Sequence, residues 1–243
     1  MYLIFENKKI MSNFTLYTDL VIIVDRSGSM VSINNGHVEQ IYSLIKTQQQ
    51  LCIDKPEAET KLTIITFDDV ITNVVLNKNL SSYDIPEIEY FIDELKPRGL
   101  TSLFDAVIKG VNEQKKRCET HIKSLNRELR SLDPKINRIV YVITDGYDNK
   151  STKTIENMKE LLDTEEEDKY FNTIFLGANI GDVEKLSRTM GFTPERSLTI
   201  NPTYNGTNVG MAIASNLIRG ISTSARTEPF QFTNLERSIT KDA

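Results

Sequence analysis

Apolar residues along this chain form short continuous runs, separated by longer stretches in which they recur every three or four positions. The strongest run, Leu20-Val-Ile-Ile-Val24, predicts a strand buried on both faces. Residues 36–51 predict a helix with Val38, Ile41, Leu44, Ile45 and Leu51 on one side. Residues 61–67 and 70–76 read as two strands joined by Asp68-Asp69, too short a link for anything but an antiparallel hairpin. Pro86 opens a short helix through residue 95. The turn Pro97-Arg-Gly-Leu-Thr101 leads into a long helix striped by Val107, Val111, Cys118, Ile122, Leu125 and Leu129, which Asp133-Pro134 ends. Strands at 138–144, 173–176 and 198–200 alternate with helices at 152–162, 183–190 and 209–222.

Strands alternating with helices, apart from one hairpin, predict an α/β fold. Its sheet is doubly wound and mostly parallel, with one antiparallel edge strand and helices on both faces. One domain is expected over residues 15–224, with an N-terminal extension at 1–14 and a C-terminal tail at 225–243. Met11 is an alternative start to Met1. In such sheets ligands bind beyond the carboxyl ends of the strands, where the strand order reverses.

Three loops at those ends, or opening the following helix, carry polar residues: Asp25-x-Ser27-x-Ser29 after the first strand, Thr101 before the long helix, and Asp145 after the strand at 138–144. Two carboxylates and three hydroxyls suit a hard divalent cation with about six oxygen ligands, Mg²⁺ best and Mn²⁺ or Ca²⁺ as alternatives. Gly28 is expected to give the first loop the freedom to curl around the ion. Two carboxylates only balance a 2+ charge, so the ion keeps an affinity for one more anionic oxygen.

Composition narrows the remaining choices. With only Cys52, Cys118, His37 and His121 available, a disulfide framework and a cysteine-rich zinc site are excluded. A net charge of -5 disfavours a nucleic-acid binder that relies on a basic face. The early apolar runs are too short for a signal-peptide core or a bilayer span, so the expected setting is the cytoplasm, with no membrane partner.

The pattern Asp25-x-Ser27-x-Ser29, Thr101 and Asp145 resembles the von Willebrand factor type A domain with its metal-ion-dependent adhesion site (MIDAS). The resemblance covers nearly the whole chain. It implies direct coordination by Ser27, Ser29 and Thr101, with Asp25 and Asp145 acting through water or as backing ligands. It also implies an open sixth position that takes an Asp or Glu carboxylate from a protein partner. Residues 99–106 and Phe175-Leu-Gly-Ala-Asn179 look like the bacterial and phage branch related to tellurite-resistance proteins. The expected function is thus a non-enzymatic, cation-dependent protein-binding module, with Arg26, Met30, Leu100, Tyr147, Asn149 and Asn179 as candidate specificity residues around the ion.

Other assignments for these residues are less demanding. Asp105 in the first helical turn complements the helix dipole, Asp148 is a loop residue, and His37 and His121 read as surface or capping residues. Glu165-Glu-Glu-Asp168 reads as a solvated helix end, and Lys115, Lys116, Arg117, Lys123, Arg127 and Arg130 as a solvated basic face. The competing enzyme is a phosphohydrolase of the haloacid dehalogenase type, but Ser27 stands where that chemistry needs its acid. A serine hydrolase lacks its Gly-x-Ser-x-Gly elbow, and no phosphate-binding loop motif occurs. A structural or assembly role in a phage or stress-response complex is the third class.

Overall fold

A computed structural model describes residues 16–33, 36–56, 58–131, 134, 136–223 and 230–243. The expected extension at 1–14, with the choice of start, lies outside them, as does Asp133. Among the described residues six strands form one sheet: β1 (Leu16–Asp25), β2 (Ala58–Phe67), β3 (Ile71–Asn79), β4 (Ile136–Thr144), β5 (Phe171–Ala178) and β6 (Ser197–Ile200). Their order is β3-β2-β1-β4-β5-β6. Only β2 and β3 pair antiparallel, which makes β3 the antiparallel edge strand that the hairpin predicts. The chain progresses outward from β1 in one direction and from β4 in the other. The loops that follow these two adjacent strands therefore diverge and leave a crevice.

The helices are α1 (Gly36–Asp54), α2 (Ile88–Glu94), α3 (Leu103–Ser124), α4 (Arg127–Ser131), α5 (Ile155–Glu165), α6 (Val183–Met190), α7 (Tyr204–Thr223) and α8 (Asn234–Asp242). Strand β1 feeds both layers. Leu20, Ile22 and Val24 pack with α1, α2 and α7 on one face, while Val21 and Ile23 pack with α3, α5 and α6 on the other. Each of these side chains is fully buried, worth roughly 1.5–3 kcal/mol apiece. Gln114 of α3 adds a polar tie, donating from Nε2 to the carbonyls of Asp19 in β1 (2.7 Å) and Ile139 in β4 (3.2 Å). The central strand pair is thereby held by packing on both faces and by hydrogen bonds near its lower end.

Four expectations need correction. The long helix breaks after Ser124, because the Asn126 side chain accepts from the Leu129 N–H (2.8 Å) and starts the separate α4. The expected tail contains α8, opened by a Thr233–Glu236 capping box. Arg237 donates to Glu184 and to the carbonyls of Pro194, Glu195 and Ser197, and Asn201 N donates to the Thr240 carbonyl. Helix α8 thus covers the outer edge of the sheet beside β6 through polar contacts, which hydrophobic periodicity does not register. The acidic run is not simply solvated either. Glu165 is buried between Lys115 Nζ and Arg138 Nη1, both at 2.6 Å, and Glu166 takes Arg196 Nη2 at 2.8 Å. Of the basic face, Lys115 is committed to Glu165 and Arg117 to Asp19.

The histidines also differ from expectation. His121 is partly buried and stacks on Tyr17, with ring centroids 3.9 Å apart. His37 is fully buried in α1, and neither ring nitrogen has a partner among the described residues. Burial lowers its pKa to about 4. No helix among the described residues is long and apolar enough to cross a membrane.

His37 makes stability depend on pH in a defined sense. The unfolded chain takes up this proton near pH ~6.5 and the native state only near 4. The stability that comes from burying the neutral ring is therefore complete above about 6.5 and is lost as the pH falls toward about 4. Denaturant titrations across this window should show wild type losing stability relative to His37→Leu as the pH drops. A constant difference between the two would remove the assignment.

Candidate metal centre

Strand β1 ends at Asp25, and the chain turns through Arg26 and Ser27 into a 3₁₀ turn at Gly28–Ile33. Asp25 Oδ1 accepts the Ser27 N–H (2.6 Å), which curls the loop back over the strand end. Asp25 Oδ2 accepts from Thr144 Oγ1 (2.6 Å), the last residue of the neighbouring β4. The next residue, Asp145, accepts from Ser29 Oγ at Oδ1 (2.7 Å) and from Ser32 Oγ at Oδ2 (3.5 Å). The Ser27 and Ser29 hydroxyls lie 3.1 Å apart. Asp25, Ser27, Ser29 and Asp145 therefore form one hydrogen-bonded chain across the β1–β4 junction.

Thr101 lies in the adjoining loop. Arg98 N donates to the Arg26 carbonyl (2.8 Å) and Gly28 N to the Gly99 carbonyl (3.2 Å), which lays residues 98–101 beside the first loop. The Thr101 N–H donates to Asn149 Oδ1 (2.8 Å), and its carbonyl accepts from the backbone of Asn149 and Lys150. The backbone of Thr101 is thus clamped to the loop after β4. Thr101 is buried overall, and its hydroxyl makes no hydrogen bond among the described residues. The conformational freedom expected at Gly28 falls instead at Gly99, which has φ +66°, while Gly28 has no positive φ.

Burial pushes the Asp25 pKa up to about 6, against the hydrogen bonds from Thr144 and Ser27, and the nearby Asp145 charge adds to the rise. Burial likewise raises Asp145, against hydroxyls from Ser29 and Ser32. No cationic side chain pairs with either carboxylate among the described residues. Arg26 turns away to Asp68, Glu94 and Thr72. Two buried acids without a counter-charge among the described residues, linked to the hydroxyls of Ser27 and Ser29, fit a hard cation. No group of three or more His, Cys, Asp or Glu side chains suited to a metal occurs among the described residues, so any metal here depends on the hydroxyls.

The candidate surrounding residues separate into two groups. Arg26 and Met30 are buried and structural, which corrects their expected place on the rim. Asn149 positions Thr101, and Asn179, with φ +53°, donates to Ser32 Oγ at 3.2 Å. Leu100 and Tyr147 are exposed. Asp105 accepts from the Thr152 and Lys153 N–H groups, and Asp148 from the Phe104 N–H. Both therefore join loops, and neither belongs to the hydrogen-bonded chain. Thr144 and Ser32 were not legible in the sequence, since their roles exist only once β4 lies beside β1.

Residues 20–147 match the family model of the von Willebrand factor type A domain. No curated protein matches the chain by sequence. Among solved structures, the chain is similar to proximal thread matrix protein 1 of the mussel byssus. The TM-score is 0.56 at 19% identity, covering 84% of this chain and 46% of that one. The chain thus spans less than half of the mussel protein's length. A further structure of that protein has a zinc-occupied MIDAS motif and gives a TM-score of 0.51 at 19% identity over 84% of this chain and 46% of that one. The vWF domain of the type V pili tip protein Mfa5 from Porphyromonas gingivalis gives 0.56 at 8% identity, over 87% of this chain and 98% of that one. At these identities the likeness shows the fold alone.

The raised Asp25 pKa has a consequence for the protein in chelator. Its native state holds a proton up to about pH 6, while the unfolded chain releases it near 3.8. The stabilising contribution is complete below about 3.8 and is lost as the pH rises through about 6. In EDTA at neutral pH, Asp25→Asn should therefore melt higher than wild type, and the gap should close as the pH falls below about 6. A variant that melts lower at neutral pH would show that the charge is already balanced within the chain.

Proposed function

The chain belongs to the von Willebrand factor type A domain family, and we propose that it acts as a non-enzymatic protein-binding module that depends on a divalent cation. The observation that carries this reading is the pair of buried carboxylates, Asp25 and Asp145, joined through Ser27 and Ser29 and facing no cation among the described residues. Ser27, Ser29 and Thr101 would hold the ion through their hydroxyls, and Asp25 and Asp145 through water or as backing ligands. Mg²⁺ suits this hard oxygen set best, with Mn²⁺ or Ca²⁺ as alternatives. The zinc in the mussel protein's MIDAS motif supports a divalent ion at such a site. The ion would supply an open position for an Asp or Glu carboxylate of a protein partner.

Catalysis has little support in the same residues. Ser27 donates its backbone N–H to Asp25 and offers only a hydroxyl where a phosphohydrolase needs a carboxylic acid. The proposed domain is residues 15–224, and α8 docks on its described part. The proposed setting is the cytoplasm, in keeping with Cys52 and Cys118, which are both buried and unpaired.

Calorimetric titration with Mg²⁺ should show binding to wild type, none to Asp25→Ala, and weakened binding to Thr101→Ala with little change in melting temperature. Below pH ~6 the affinity should fall by about tenfold per pH unit, since Asp25 must lose a proton to face the ion. Equal affinity in wild type and Asp25→Ala would refute the site. Hydrolysis of a phosphomonoester that vanishes in Asp25→Asn would replace the module with an enzyme.

A further inference from the structure

Asp68 is claimed by two guanidinium groups. Its Oδ2 accepts from Arg26 Nε (2.9 Å) and from Arg98 Nε (2.6 Å), and its Oδ1 accepts the Val70 N–H (2.6 Å). Burial alone would raise the Asp68 pKa, but these hydrogen bonds and the two arginine charges hold it below the usual carboxylate range. The two arginines share this carboxylate, with Glu94 also near Arg98, but they differ in exposure. Arg26 is buried, and its terminal nitrogens are committed to the Glu94 carbonyl and Thr72 Oγ1. The Arg98 side chain is 62% exposed, and its terminal nitrogens have no acceptor among the described residues. The nearby acid Asp69 uses Oδ1 to accept the Leu100 N–H (2.9 Å).

Arg98 is three residues before Thr101 and is tied by its backbone N–H to the Arg26 carbonyl, between Asp25 and Ser27. It therefore stands at the border of the candidate metal site. Large apolar side chains are also exposed close in sequence to the candidate ligands. Val31 is 68% exposed, Leu100 46% and Tyr147 60%, and each is within two residues of Ser29, Thr101 or Asp145. An exposed guanidinium fork presents a flat pair of donors that matches a carboxylate. Exposed apolar groups beside it suit a partner that also buries apolar surface.

We propose that the partner of this site is a short acidic segment with two carboxylates and a bulky apolar residue. One carboxylate faces the cation, the second pairs with the fork of Arg98, and the apolar side chain covers Leu100, Val31 and Tyr147. The inference rests on the metal-dependent reading above and adds the chemistry of the partner to it. It makes Arg98 a specificity residue, separate from the five that would hold the ion.

The test is selection of a random heptapeptide library against the full chain, in Mg²⁺ and in EDTA. The result expected is Mg²⁺-dependent enrichment of peptides with two Asp or Glu residues and at least one Leu, Ile, Phe or Tyr. The best such peptide, made synthetically, should bind Arg98→Gln about tenfold more weakly, in keeping with the loss of one charge-assisted pair. Tyr147→Ser should lower the preference for the apolar residue. Both variants should keep the Mg²⁺ affinity of wild type when titrated without peptide, because neither position is among the proposed ion-holding residues. If wild type binds Mg²⁺ but the enriched peptides carry a single acid, or if Arg98→Gln binds the selected peptide as tightly as wild type, the inference is overturned. If wild type binds no Mg²⁺ in the same titration, the metal reading itself fails, and this one falls with it.

Discussion

Two carboxylates at the ends of adjacent parallel strands, both buried and neither paired with a cation among the described residues, are the constraint around which the surrounding loops are arranged. Asp25 and Asp145 can be this close because β1 and β4 are neighbours, and the strand order reverses between them. Every hydroxyl that reaches them, from Ser29, Ser32 and Thr144, partly offsets their burial without neutralising their charge. A folded chain that tolerates this arrangement gives up some of its own stability at neutral pH and gains a place where a cation is favoured.

The opposite end of the sheet handles buried acids differently. Asp19 meets Arg117 through two hydrogen bonds, and Glu165 meets both Arg138 and Lys115. These acids are balanced by the chain itself and tie α3 and α5 to the ends of β1 and β4. The contrast separates structural acids from those of the site. Both kinds are buried, but among the described residues only the first kind has a counter-charge.

The Arg26–Asp68 pair occupies a middle position. It fastens the loop after β1 to the β2–β3 turn and to α2, so the loop that carries Ser27 and Ser29 is braced from its far side. Arg98 shares the same carboxylate from the exposed side. Arg26 and Arg98 are therefore joined through one carboxylate, the first buried and the second exposed.

Much of this was legible in the linear chain. The β-branched run at 20–24, the hairpin around Asp68-Asp69 and the alternation of strand with helix all rest on local periodicity, which does not depend on what packs against it. That Asp25 and Asp145 stand at strand ends was readable for a related reason, since each closes or directly follows a buried apolar run. Tertiary structure decided the rest. Thr144 is an ordinary strand residue until β4 lies beside β1 and its hydroxyl reaches Asp25. The residues of α8 look like a tail because Arg237 and Thr240 hold them with hydrogen bonds rather than an apolar stripe. Glu165 reads as solvated until Arg138, from a strand nearly thirty positions earlier, buries against it. Local pattern encodes how each segment folds, but charge pairing and side-chain hydrogen bonding depend on distance in space, and the fold alone sets that distance.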